Sequence, residues 1–261
     1  MGVRPPEGVS ADGPLRTELA DGVLTVTIDR PEAKNALTLA MRQHLQRLCA
    51  GVDRDDDVAV MVLTATDPVF CAGADLKEIA AHGSGLPATN PGAALRAVGK
   101  PVICAVNGAC VTGGLELALS CDWIIASEQA WFADTHARIG VLPRWGMSAL
   151  LPRAVGMRIA KEMTATGARL AAGEALRVGL VNTVVAHEDL AAEVARQARA
   201  VAETDRPALA ASLRLYDEGD GQPLDKALER ERKWASEWKP PVLRADRAEG
   251  KRGLRQKRSQ G

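Results

Sequence analysis

The stretch from Pro101 to Asp122, PVICAVNGACVTGGLELALSCD, constrains the fold more than any other part of this chain. Val102 to Val106 is an unbroken apolar run and reads as a strand buried on both faces. Asn107-Gly108 turns the chain, and Gly113-Gly114 opens an apolar helix with one carboxylate, Glu116, in its first turn. A helix N-terminus offers unpaired backbone N–H donors and the positive end of a dipole, and glycine there lets a ligand approach the main chain closely. An acid among apolar neighbours at such a place is poised for proton transfer, while the nearby N–H groups can hold a developing oxyanion. The same pattern also suits an ordinary strand–turn–helix in which Glu116 is merely partnered in the core.

The rest of the chain repeats the theme. Gly22 to Asp29 alternates apolar and polar residues, as a strand with one wet face does. A turn, RPEAKNALT, leads into an amphipathic helix over Leu37 to Val52, and Val58 to Thr64 is a fully apolar strand. DPVFCAGAD turns into a short helix at about Leu76 to Ala81, and the glycine- and proline-rich stretch His82 to Pro91 reads as a mobile loop. Trp123 to Ser127 and Val178 to Val185 read as further strands, and three helices follow at Leu190 to Glu203, Pro207 to Asp217 and Leu224 to Trp238. Alternating strands and helices imply an α/β fold with parallel pairing and right-handed crossovers. The expected organisation is a core domain over residues 14–186 and a helical region over residues 187–261.

Composition excludes several classes. The 33 basic residues balance 33 acidic ones, so the chain is not a general polyanion or nucleic-acid binder, although its tail from Lys239 to Gly261 holds eight Lys/Arg against two Asp/Glu. No apolar run approaches the roughly 18 residues of a membrane span, and MGVRPPEGVSADG has no apolar signal core. The five cysteines (Cys49, Cys71, Cys104, Cys110, Cys121) form no CxxC and sit in apolar runs, so they read as reduced, buried small hydrophobes of a cytoplasmic protein.

Four segments in order, GVLTVTIDRPEAKNAL, VFCAGADLKE, KPVICAVNGACVTGGLELALSCD and FADTHARIGVLPRWG, resemble the crotonase (enoyl-CoA hydratase/isomerase) superfamily, and the likeness runs from about Gly22 to Arg258. The resemblance implies the crotonase fold, a ClpP-like spiral of ββα units with C-terminal helices used in assembly as a homotrimer or dimer of trimers. It implies acyl-CoA thioesters as substrates, a thioester enolate held by two backbone N–H groups, and neither metal nor redox cofactor. By resemblance the two donors are the N–H groups of Ala72 and Gly113, and Ala72, Gly73, Ala74, Asp75 and Leu76 fall on the segment lining the CoA and acyl groove. Asp75 is expected to cap a helix rather than to act as a catalytic acid.

Hydratases of this family typically carry two glutamates. The first is present as Glu116, while His136 stands where the second is usual. A neutral imidazole can orient water or pass a proton near neutral pH. Asp134, two positions earlier, shares a face with His136 on strand spacing and partly compensates for the missing carboxylate. Isomerases that shift a 3-enoyl double bond depend chiefly on the second glutamate, so His136 counts against that activity. The reading that follows is an enoyl-CoA hydratase that adds water to a 2-enoyl-CoA to give a 3-hydroxyacyl-CoA, with Glu116 and His136 as catalytic residues. Thioester hydrolysis, decarboxylation, isomerisation and non-catalytic acyl-CoA binding stand as alternatives. The bulky pair Arg144-Trp145 replaces the small, glycine-rich sequence of many members. Trp145 either shortens the acyl pocket or fills core. EGKRGLRQKR, Glu249 to Arg258, resembles the family's terminal motif, placing Lys257 near CoA phosphates of a neighbouring subunit, with Leu254 where an aromatic residue is usual.

Overall fold

The computed structural model describes residues 14–82 and 88–239. Lys257 and its terminal motif lie outside these residues, as does the centre of the loop between His82 and Pro91. Numbered in chain order, the larger sheet contains β1 (Leu15–Ala20), β2 (Val23–Ile28), β3 (Val60–Ala65), β5 (Val102–Val106), β7 (Trp123–Ser127) and β10 (Thr183–Val185), in that spatial order. The smaller sheet contains β4 (Val69–Cys71), β6 (Ala109–Val111), β8 (Trp131–Ala133) and β9 (Leu170–Ala171). The helices are α1 (Leu39–Val52), α2 (Leu76–His82), α3 (Pro91–Arg96), α4 (Gly113–Ala118), α5 (Met147–Val155), α6 (Met157–Thr166), α7 (Ala172–Arg177), α8 (Leu190–Ala202), α9 (Arg206–Gly219) and α10 (Leu224–Glu237). Each of the pairs β3–β4, β5–β6 and β7–β8 sends its first strand to the larger sheet and its second to the smaller, and helices follow each pair. That is the expected repetition of ββα units.

Six strand pairs are parallel, as the β-α order predicts. β1–β2 and β8–β9 are antiparallel instead. The first exception is a tight hairpin, because Asp21 (φ 51°) and Gly22 (φ 79°) supply the two left-handed residues that such a turn requires. The strand expected over Val178 to Val185 shrinks to β10.

Burial explains the sequence pattern. Leu24, Val26 and Ile28 of β2 face the core, and the residues between them are half-buried. β3, by contrast, has core on both sides. Met61 and Leu63 join the main cluster, whereas Val60 and Val62 join Ile103, Ala105 and Ile125 beneath Leu190, Val194 and Ala198 of α8. Those three α8 residues recur every fourth position, the stripe an amphipathic helix buries. Burying a leucine or valine stabilises by roughly 1.5–3 kcal/mol. For this reason the first compact unit extends through Arg206, later than the expected boundary at 186. The second unit starts at Pro207. Within it, Glu218 bridges Arg214 (2.7 Å) and Arg230 (2.5 Å).

All five cysteines are free, and four are buried. Burial pushes the Cys49 and Cys71 thiols up to about 12, as for inert core thiols.

Candidate active site

Register in the smaller sheet assembles the site. β4, β6 and β8 run parallel, with Cys71 opposite Cys110 and Val111 opposite Ala133. Their carboxyl ends therefore lie side by side, where open α/β sheets bind ligands. The three chain segments leaving those ends are Ala72–Asp75, Thr112–Gly113 and Asp134–His136. They border a cavity of about 970 Å³ whose lining includes Ala72, Ala74, Gly113, Glu116, His136 and Trp145.

The segments from β4 and β6 approach through bare glycine. Gly73 has φ +95°, and a Cβ there would come within 2.9 Å of Gly113 N. A Cβ on Gly113 would meet Gly73 Cα at 3.0 Å and Ala74 N at 3.3 Å. Thr112, just before Gly113, adopts φ 56° and ψ −112°. Such a conformation costs on the order of 1–3 kcal/mol in a residue with a Cβ. It is held by Thr112 N–H donating to Ala133 O (2.9 Å) and by a 2.5 Å hydroxyl contact with Thr135.

The expected donor pair needs one correction. Ala72 N–H already donates to Lys34 O at 3.1 Å. The next residues form a parallel bridge with Leu37, in which Leu37 N–H donates to Gly73 O (2.8 Å) and Asp75 N–H to Leu37 O (3.0 Å). In an extended chain successive peptides face opposite edges, so Ala74 N–H faces away from Leu37, on the side of Gly113. Neither Ala74 N–H nor Gly113 N–H has an acceptor among the described residues. These two are the free donors available to an oxyanion; Ala72 lines the cavity with its N–H already engaged.

Glu116 is 2% exposed. Its Oε1 accepts from Trp145 N–H (2.7 Å) and Met147 N–H (3.1 Å), which leaves Oε2 toward His136, 3.5 Å from Nε2. His136 is anchored behind. Its Nδ1 lies 2.7 Å from Asp134 Oδ1, which also accepts the His136 backbone N–H at 3.1 Å. Asp134 Oδ2 accepts from Thr164 Oγ1 at 2.7 Å. Burial by itself lowers the imidazole's pKa, but the bonds to Asp134 and Glu116 outweigh it and raise the value to about 9. Burial likewise opposes ionisation of Asp134, yet His136 and Thr164 hold that carboxyl below its ordinary value. The imidazole is thus a cation between two carboxylates at neutral pH, not the neutral ring that an isolated histidine suggests. Asp134 shares a face with His136, as its spacing predicts, but is fully buried and does not line the cavity. It supports the imidazole rather than offering a second carboxylate to a ligand.

The sequence profile of enoyl-CoA hydratase/isomerase matches residues 18–252. The chain belongs to the enoyl-CoA hydratase/isomerase family. It is 39% identical, over 185 residues, to the Arabidopsis thaliana protein named "Probable enoyl-CoA hydratase 1, peroxisomal", covering 70% of this chain and 68% of that one. It is 38% identical to the mevalonyl-coenzyme A hydratase sidH of Aspergillus fumigatus, over 69% of this chain and 68% of that protein. The crystal structure of enoyl-CoA hydratase from Mycobacterium tuberculosis H37Rv superposes with a TM-score of 0.73 at 44% identity, covering 86% of this chain and 98% of that one. The fold is therefore that of crotonase-type enoyl-CoA hydratases.

Among the other residues singled out beforehand, Leu76 lines the cavity and is 51% exposed. Gly73 contributes only main chain. Asp75 does not line the cavity. Its Oδ1 caps α2 by accepting from Lys77 N–H (2.9 Å) and Glu78 N–H (3.2 Å), and Oδ2 pairs with Arg30 at 2.5 Å. The Arg30 hydrogen bond, aided by those N–H groups, holds the carboxyl below its ordinary value. Asp75 is thus a cap, as expected, and not a ligand contact. Trp145 does pack beside the pocket, with its ring against Gly113. Sequence reasoning missed its N–H grip on Glu116, the Thr112–Thr135 contact and Thr164. All are contacts between distant segments, and only the positive φ of Thr112 marks a strained site. Among the described residues no helix is long and apolar enough to cross a membrane, and no cluster of potential metal ligands occurs.

Proposed function

We propose that this protein hydrates 2-enoyl-CoA thioesters to 3-hydroxyacyl-CoA. One observation carries the reading: the free N–H groups of Ala74 and Gly113 border the same cavity as the Glu116–His136 pair. Water approaches Cβ and Glu116 Oε2 accepts its proton as the new C–O bond forms. The electron pair of the alkene moves through Cα to the thioester oxygen, where fixed donors stabilise the oxyanion. As the enolate collapses, His136 Nε2–H gives a proton to Cα. The proton on Glu116 then crosses to His136, which restores both groups; the net change is addition of one water. The raised pKa of His136 keeps the acid loaded at neutral pH, so base and acid stand next to each other with opposite charges.

The substrate enters as a coenzyme A thioester, and the sequence of steps calls on no metal or redox cofactor. The same reading includes assembly as a homotrimer or dimer of trimers in the cytoplasm, with Lys257 of one subunit near the CoA phosphates of another. A double-bond shift suits this site less well, because Asp134 lies behind the imidazole. The direct test follows loss of the conjugated enoyl absorbance of crotonyl-CoA. Hydration by the wild type, abolished in Glu116→Gln, supports the reading; a wild type that leaves crotonyl-CoA and longer 2-enoyl esters untouched overturns it.

A further inference from the structure

The pair Arg144-Trp145, bulky where the family is often glycine-rich, enters the chemistry above only through the Trp145 N–H. Its two side chains play different parts. Trp145 is 5% exposed, its Nε1 donates to Thr89 O at 2.9 Å, and its Cζ3 would lie 2.6 Å from a Cβ on Gly113. The indole is a fixed wall beside the reacting atoms, which limits room for a long aliphatic tail. Arg144 also lines the cavity but is exposed. Its guanidinium has neither hydrogen bond nor ion pair among the described residues. The other arginine in the cavity lining, Arg42, is engaged with Glu78 (3.2 Å) and Thr89 (3.0 Å), and Arg96, outside the lining, with Ser120 (2.7 Å) and Trp145 O (3.0 Å).

The fixed groups order the ligand. A thioester oxygen on Ala74 and Gly113 puts Cα and Cβ beside Glu116 and His136. Trp145 N–H holds Glu116, and Arg144 precedes it by one residue, about 3.8 Å in Cα position. The Arg144 backbone is itself pinned, since its carbonyl accepts from Asn90 Nδ2 at 3.3 Å. The cavity that holds Glu116 and His136 is thus also lined by a free guanidinium, one residue before the tryptophan whose N–H grips Glu116, and it presents a planar fork of donors suited to a carboxylate. Resting on the hydratase reading above, we propose that Arg144 anchors an anionic group at the far end of the acyl chain, so that the preferred substrates are short 2-enoyl-CoA esters terminating in a carboxylate.

Binding of two saturated, unreactive esters tests the anchor whether or not hydration is the reaction: glutaryl-CoA, which ends in a carboxylate, and butyryl-CoA, which does not. By titration calorimetry the wild type should bind glutaryl-CoA about ten-fold more tightly, the strength of one charge-assisted hydrogen bond. Arg144→Gln should abolish that preference and Arg144→Lys should keep part of it. Rising ionic strength should narrow it, because the group is exposed. Equal wild-type affinities, or a preference that survives in Arg144→Gln, would overturn the assignment. So would Arg144→Gln weakening both esters alike, which would give the arginine to the CoA phosphates. Turnover of crotonyl-CoA and glutaconyl-CoA, measured alongside, reads the hydratase assignment separately: titration can support the anchor even where neither ester is hydrated.

Discussion

One wall of the cavity is made of main chain and the other of side chains. The oxyanion wall, Gly73-Ala74 against Thr112-Gly113, has donors whose positions are set by two backbones in contact, and a single added Cβ would come within about 3 Å of the opposing chain. The acid–base wall presents Glu116 and His136, backed by Asp134 and Thr164, which are brought from three segments and held by hydrogen bonds of ordinary length. The difference explains where this chain departs from the family pattern. In the proposed mechanism a histidine serves on the second wall because a buried carboxylate behind it adjusts its charge. Nothing comparable can adjust a peptide N–H on the first.

The sharpest way to break this contrast is Glu116→Gln, which keeps shape and hydrogen bonding but loses the proton acceptor. Crotonyl-CoA turnover should fall by roughly 10²–10⁴ with product binding almost unchanged; full activity would remove Glu116 from the chemistry. Next in size is the main-chain wall, probed by replacing the amide of residue 74 with an ester through a hydroxy acid. Loss of that one N–H should lower turnover by about 10²–10³, as for other oxyanion donors. The same replacement at residue 72 should affect stability by about 1 kcal/mol and spare turnover. A reversal of these two results would restore Ala72 as the donor.

Asp134→Asn tests whether the second wall is tuned from behind. The proposed mechanism uses His136 protonated, so wild-type turnover should hold below a limb near pH 9 and fall as pH rises through it. In Asp134→Asn the limb should move toward histidine's ordinary value of about 6.5, with a rate loss of up to about four-fold at pH 7. Stability should follow the same window. Because folding raises the imidazole's pKa, its contribution is complete below about 6.5 and lost as pH climbs through about 9. Chemical denaturation across that range should show the decline in the wild type and a smaller one in the variant. A limb that stays in place would make Asp134 merely structural. The smallest effect belongs to Lys257→Ala, which should raise KM for acyl-CoA several-fold at low salt with little change in kcat, the mark of lost uniform binding. An unchanged KM would detach the tail from the site.

Much of this was legible in the residues. The two-sided burial of β3 and β5 showed as unbroken apolar runs, β2 as alternation, and Asp75 as a cap two and three residues before the N–H groups it accepts. Glu116 and His136 stood out because glycine and apolar neighbours surround the first and because the second interrupts a familiar pattern. The slip from Ala74 to Ala72 has a simple cause. Strict alternation would put the N–H groups of Ala72 and Ala74 on one edge, but Gly73, at φ +95°, breaks the extended run between them, so Ala72 N–H turns to Lys34 O while Ala74 N–H is left on the side of Gly113. A motif such as AGAD does not state that φ, nor that its partners are Lys34 and Leu37, more than 30 positions earlier in the chain. The charge of His136 was hidden for a similar reason: Thr164, which helps hold Asp134 in place, lies on a helix beyond the site.

The placement of α8 bears on how much chain must be kept to obtain the protein at all. A truncation after Ala186 would strip the cover from Val60, Val62, Ile103, Ala105 and Ile125, one continuous aliphatic surface across three central strands. Such a fragment should aggregate on expression, whatever the state of its catalytic groups. A fragment continued to Arg206 keeps that surface closed and is the shorter piece expected to stay in solution.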